Sequence, residues 1–162
     1  LKKYKKILVL QGGLSEEIDV SLKTGNEVSR ILKKKYIVKV STVTSDINKL
    51  LFDIREFKPD VVFNALHGVF GEDGQIQSIL NLLKVPYTHS GVSSSSVGMN
   101  KVLSKFIFKN VGINCPEGEK IKIKDINKSI IKPPFIIKPI NGGSSIGIHK
   151  VLNIKPKTLK AV

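Results

Sequence analysis

The 162-residue sequence is 41% hydrophobic and 25% charged, enough apolar content for one globular domain or one and a half small ones. Its formal charge of +14 is almost all lysine, with arginine only at Arg30 and Arg55, which argues against a specific nucleic-acid reader because base and bidentate phosphate contacts favour arginine. No apolar run approaches the roughly 20 residues of a membrane span, the run after the basic Leu1 to Lys6 is too short for a signal-peptide core, and the lone Cys115 excludes an internal disulfide or a cysteine zinc site; a reducing cytoplasm is expected.

In chain order, Ile7 to Leu10 reads as a strand that ends at Gly12-Gly13. Ser15 is then placed to cap a helix whose apolar positions are Ile18, Leu22, Gly25, Val28 and Leu32. Tyr36 to Val43 has the β-branched texture of a second strand, residues 46 to 57 repeat Ile47, Leu50, Leu51, Ile54 and Phe57 at helical spacing, and Val61 to Phe63 forms a third strand. Residues 75 to 83 predict another amphipathic helix, and Val85-Pro86-Tyr87 starts a short strand. This alternation is that of a parallel sheet with helical crossovers, and the first domain is expected to end near residue 92. Beyond it, the serine cluster Ser93 to Ser96 leads into one helix bearing Met99, Val102, Leu103, Phe106 and Ile107 and closing at Gly112. After Cys115-Pro116 the pattern reads strand, helix, strand.

Three loops carry possible chemistry. In an open α/β sheet, ligands bind beyond the carboxyl ends of the strands, and residues 12–22 and 66–77 both follow strands at that edge, so they are expected to face a common cleft. Glu17, at a helix start, is either a stabilising helix-start acid or a carboxylate able to grip an ammonium group. His67 is either structural or a hydrogen-bond donor to a carboxylate or to developing negative charge. Glu72-Asp73 are adjacent and do not naturally point together as an acid/base pair, so Asp73 is read as a helix cap ahead of Ile76, Ile79 and Leu80, while His89 and His149 lack companions at metal-ligand spacing. The third loop, Lys138 to Gly147 (KPINGGSSIG), has glycines that allow close backbone approach and hydroxyls that suit a phosphate, with Lys138 adding charge; it equally suits an ordinary hairpin. It is neither a Walker A loop nor a G-x-G-x-x-G turn.

Taken together and in order, the segments GGLSEEIDVSLKTG, LHGVFGEDGQIQSILNLLKVPYTHSG, SSSSVGMNKVLSK and PPFIIKPINGGSSIGIHKV resemble the D-alanine–D-alanine ligase family of the ATP-grasp superfamily, over nearly the whole chain. The resemblance implies a Rossmann-like parallel-sheet domain over residues 1–92, followed over 93–162 by the first, incomplete part of an ATP-grasp fold. It implies that the glycine-serine loop covers ATP phosphates, with Lys101, Lys138, Gly143, Ser144 and Ser145 on the nucleotide. Glu17 would bind the ammonium of the first D-alanine, linked by hydrogen bonds to Ser144 and to a later tyrosine, and His67 would lie near that substrate's carboxylate; Glu17, His67 and Ser144 are thus the implied catalytic and substrate-binding set. The implied reaction passes through an acyl phosphate to D-alanyl-D-alanine, for peptidoglycan synthesis. The resemblance also implies a homodimer, with no specific nucleic acid and no membrane among its partners.

Three positions depart from the family pattern: Asn100 stands where aspartate is usual, Gly142 where glutamate is usual, and Ile18 where an arginine is common. The family continues for roughly another domain's length, which carries the rest of the adenine pocket, the tyrosine partner, an active-site loop and the acidic Mg²⁺ ligands. The 162 residues alone are therefore expected not to catalyse, and the alternatives are a noncatalytic remnant of such a ligase or a related D-alanine–D-lactate ligase.

Overall fold

A computed structural model describes residues 4–122, 124–125 and 131–153. The chain forms two compact units, Leu1–Met99 and Asn100–Val162. In the first, β1 (Lys6–Gly12), α1 (Ile18–Leu32), β2 (Ile37–Val43), α2 (Ile47–Phe57), β3 (Val61–Asn64), α3 (Gln75–Leu82) and α4 (Val92–Met99) follow one another. The sheet is parallel, with β1 between β2 and β3: Val9 stands opposite Val40 on one side and Phe63 on the other. Val62 also bridges in parallel to Tyr87, so the Val85-Pro86-Tyr87 segment extends the sheet by a bridge rather than by a full strand.

Side-chain alternation along β1 sorts the core into two layers. Leu8 and Leu10 point to one face, where they pack with Leu50 and Ile54 of α2 and Ile76 and Leu80 of α3. Ile7 and Val9 point to the other, against Val28 and Leu32 of α1. Leu8, Leu10, Val62, Ile76 and Leu80 are wholly buried, each contributing about 1.5–3 kcal/mol of apolar transfer.

The face that α1 turns inward corrects the sequence reading. Its buried residues are Ser21, Gly25 and Ser29, whereas Ile18 is exposed and Leu22, Val28 and Leu32 are only half-buried. At Gly25 the reason is closeness: a Cβ there would lie 2.4 Å from Gln11 Oε1 and 2.5 Å from Gln11 Cβ, so the helix approaches β1 at that point without room for a side chain. Ser15 does not cap this helix either. The N-cap position is Glu17, which makes no side-chain capping bond, and Ser15 Oγ instead accepts from Glu17 N–H. By contrast α2 is capped by Asp46, whose carboxylate accepts from the amides of Asn48 and Lys49.

The single helix expected after the serine cluster is two. α4 contains the serines, and α5 (Lys101–Asn110) begins afresh in the second unit because Asn100 adopts an extended backbone and accepts from the amides of Val102 and Leu103. The helix ends with Gly112 at φ +80, as its composition suggested. The strand expected after Pro116 is absent: residues 113–122 are irregular, and the helix expected next falls largely outside the described residues. β4 (Phe135–Ile137) and β5 (His149–Val151) pair antiparallel, with Ile136 opposite Lys150, and the glycine-serine loop joins them.

Candidate functional site

The strand order places the loops after β1 and β3 side by side. The chain leaves β1 for β2 on one side and then crosses to β3 on the other, which makes the carboxyl ends of β1 and β3 a topological switch point, where open α/β sheets form their binding crevice. The two loops are stitched together there. Ser15 Oγ donates to the carbonyl of His67 at 2.7 Å, and Ser21 Oγ donates to the carbonyl of Ala65 at 2.7 Å. Glu17 is buried to 6% exposure beside Gly68: a Cβ there would meet Glu17 Oε2 at 2.8 Å and Ser15 Cβ at 2.9 Å. Gly68 also has φ +69, so both its backbone and its surroundings call for glycine. The Glu17 carboxylate lies at the amino end of the 15-residue α1, where the helix dipole favours negative charge.

His67 is half-buried, and its Nε2 lies 3.3 Å from Thr24 Oγ1. Among the described residues, Nδ1 of its ring has no hydrogen-bond partner. The loop behind it is held internally, by Glu72 and by two side-chain amides that the sequence reading did not weigh, those of Asn64 and Gln77. Glu72 accepts from Gly68 N–H at 2.7 Å, and the Gly71 carbonyl takes two amide donors at 2.8 Å, Asn64 Nδ2 and Gln77 Nε2. The helix cap expected at Asp73 is displaced by one residue: the N-cap of α3 is Gly74, and Asp73, just before it, accepts from the amides of Phe70 and Gln75. The polar spacing Glu17, Ser21, Thr24 at i, i+4, i+7 was a visible signal that one side of α1 faces polar backbone.

In the second unit, Lys101 binds the glycine-serine loop itself: Nζ donates to the Gly142 carbonyl at 2.8 Å and its backbone N–H donates to the carbonyl of Ile140 at 3.0 Å. Gly142, Ser144, Ser145 and Gly147 all have positive φ, a run that turns successive N–H groups toward one side and suits an anion. The amides of Gly143 and Ser145 have no partner among the described residues, while Lys138 is exposed at the end of β4. Asn100, a departure from the usual aspartate, still caps α5 through Oδ1.

Residues 46–90 match a family model described as the D-ala D-ala ligase N-terminus. Over 158 residues the chain is 45% identical to a D-alanine–D-alanine ligase of Paramagnetospirillum magneticum, covering 96% of this chain and 52% of that protein. It is 46% identical over 153 residues to one of Pelagibacter ubique. Over nearly its whole length the chain is similar to D-alanine–D-alanine ligases. It spans about half the length of the curated relatives it matches. Its fold superposes on the crystal structure of the Bacillus anthracis D-alanine–D-alanine ligase with a TM-score of 0.77 at 33% identity, covering 97% of this chain and 52% of that one. The same ligase complexed with ATP matches with a TM-score of 0.74 at 31% identity, over 99% of this chain and 53% of that one. In this chain the first unit places Glu17 beside Gly68, next to His67, at the sheet edge, and the second ties Lys101 to the Gly142 carbonyl of the glycine-serine loop.

Proposed function

We propose that this chain supplies the first-substrate site and part of the phosphate cradle of an ATP-dependent D-alanine–D-alanine ligase. In that reaction ATP phosphorylates the carboxylate of one D-alanine, the amine of a second attacks the acyl phosphate, and phosphate leaves to give the dipeptide with ADP. The observation that carries the reading is the pairing, at one switch point, of a buried carboxylate with an imidazole open at one nitrogen. Glu17 grips the ammonium of the first D-alanine by a charge-assisted hydrogen bond, and His67 donates to its carboxylate. Ser144 serves the substrate side of the loop. Lys101, Lys138 and the amides of Gly143 and Ser145 stabilise the phosphate charge that develops during transfer.

The domain division belongs to the same proposal: a Rossmann-like domain over 1–92 and the start of an ATP-grasp domain over 93–162. So do a homodimer, the cytoplasm, and peptidoglycan synthesis as the process served. Mg²⁺, when bound, neutralises phosphate charge in such transfers. Among the described residues, no group of three or more His, Cys, Asp or Glu side chains is placed to hold a metal ion.

Calorimetric titration of D-alanine and of ATP tests the reading. Glu17→Gln keeps the shape and removes the charge, and is expected to weaken D-alanine binding by about tenfold or more while leaving ATP affinity within about twofold. Unaltered D-alanine affinity would overturn the assignment.

A further inference from the structure

We infer that Thr24 is a positioning residue that sets the tautomer of His67, with its hydroxyl donating to Nε2 so that the ring proton resides on Nδ1, the nitrogen left open for a ligand. The inference rests on the reading of His67 as a donor to a substrate carboxylate.

The geometry is specific to this hydroxyl. Glu17 at the N-cap and Ser21 and Thr24 in α1 all meet the segment that follows β3: Glu17 lies against Gly68, Ser21 bonds the carbonyl of Ala65, and Thr24 meets the ring of His67. The His67 carbonyl is held separately, by Ser15. The backbone of residue 67 is therefore placed without Thr24, and what the threonine adds is control of the ring. Among the described residues, Thr24 Oγ1 has no hydrogen-bond partner except Nε2, and Nε2 none except Thr24.

A neutral imidazole carries one proton, and the hydrogen bond made by one nitrogen decides what the other can do. If Nε2 were the protonated nitrogen, Nδ1 would present a lone pair to a carboxylate and repel it. With the threonine donating, Nδ1–H points its proton at the ligand. The Glu17 carboxylate lies against Gly68, and Glu72 accepts from Gly68 N–H, so carboxylates flank the residue after His67 while the ring itself meets Thr24.

The test is long-range ¹⁵N–¹H correlation of the His67 ring in the protein at pH 8, with Thr24→Val and Thr24→Ser alongside. Valine keeps the β-branched shape without the hydroxyl, and serine keeps the hydroxyl. The wild type and Thr24→Ser are expected to show the Nδ1–H pattern, and Thr24→Val to lose it, while backbone amide spectra stay superposable. An Nε2–H pattern in the wild type, or an unchanged pattern in Thr24→Val, overturns the inference. Titration with D-alanine as probe separates the two levels: Thr24→Val is expected to bind about three- to tenfold more weakly and Thr24→Ser to recover. A switched tautomer with unaltered D-alanine binding would uphold the tautomer control and overturn the ligand role of His67.

Discussion

Asp53, on the buried side of α2, offers a quantitative test of how the first unit is held together. It is 6% exposed and receives three donors: Ser41 Oγ at 2.6 Å, Lys39 Nζ at 2.7 Å and Lys49 Nζ at 3.0 Å. Lys39 and Ser41 reach it because alternate residues of β2 face α2. Burial by itself raises the carboxyl's pKa, but hydrogen bonds from Lys39, Ser41 and Lys49, with the charge of Lys39, outweigh it and lower it from 3.8 to about 2. At 1.36 kcal/mol per pH unit, that gap corresponds to about 2 kcal/mol of folding free energy. The folded value lies below the unfolded one, so the contribution is complete above about pH 5 and is lost as pH falls from about 4 to about 2. Asp53→Asn removes the charge while its side-chain oxygen can still accept from Ser41. All three tyrosines, Tyr4, Tyr36 and Tyr87, lie in the first unit and tryptophan is absent, so tyrosine fluorescence during urea unfolding follows that unit. The wild type is expected to exceed the variant by about 2 kcal/mol at pH 7, with the difference vanishing near pH 2. A difference independent of pH would refute the assignment of this stability to the Asp53 charge.

Gly68→Ala is expected to weaken D-alanine binding and to destabilise the first unit by more than the ~1–2 kcal/mol of its left-handed backbone, because its Cβ would lie 2.8 Å from Glu17 Oε2. Gly112→Ala, at φ +80 with no atom within 4 Å of its Cβ, is the comparison that carries the backbone cost alone; equal losses in the two would dismiss the contact with Glu17. Lys101→Ala removes the Nζ bond to the Gly142 carbonyl, and amide hydrogen exchange across residues 142–148 is expected to accelerate while protection in β1 stays unchanged. Unaltered exchange in that loop would mean that the lysine does not hold it.

What the sequence determined alone was whatever depends on near neighbours in the chain. The apolar runs at Ile7 to Leu10 and Val61 to Phe63, the helical repeat from Ile47 to Phe57 and the glycine after α5 encode their elements through period and turn chemistry, so the parallel α/β order was legible. Glu17 and His67 were legible as candidates because one stands at the start of α1 and the other in the loop that follows β3, both at the sheet edge. The tertiary structure decided which neighbours those elements meet. Apolar periodicity favoured Ile18 for the inner face of α1, yet Ile18 is exposed, the buried positions are Ser21, Gly25 and Ser29, and contact with Gln11 leaves room only for glycine at position 25. The break between α4 and α5 depends on Asn100 turning its side chain to the amides ahead of it, a local option that a continuous apolar pattern conceals. Thr24 reads as an ordinary helix residue until β3 brings His67 across from 43 positions away, because a hydrogen bond between distant segments leaves no trace in the spacing of either.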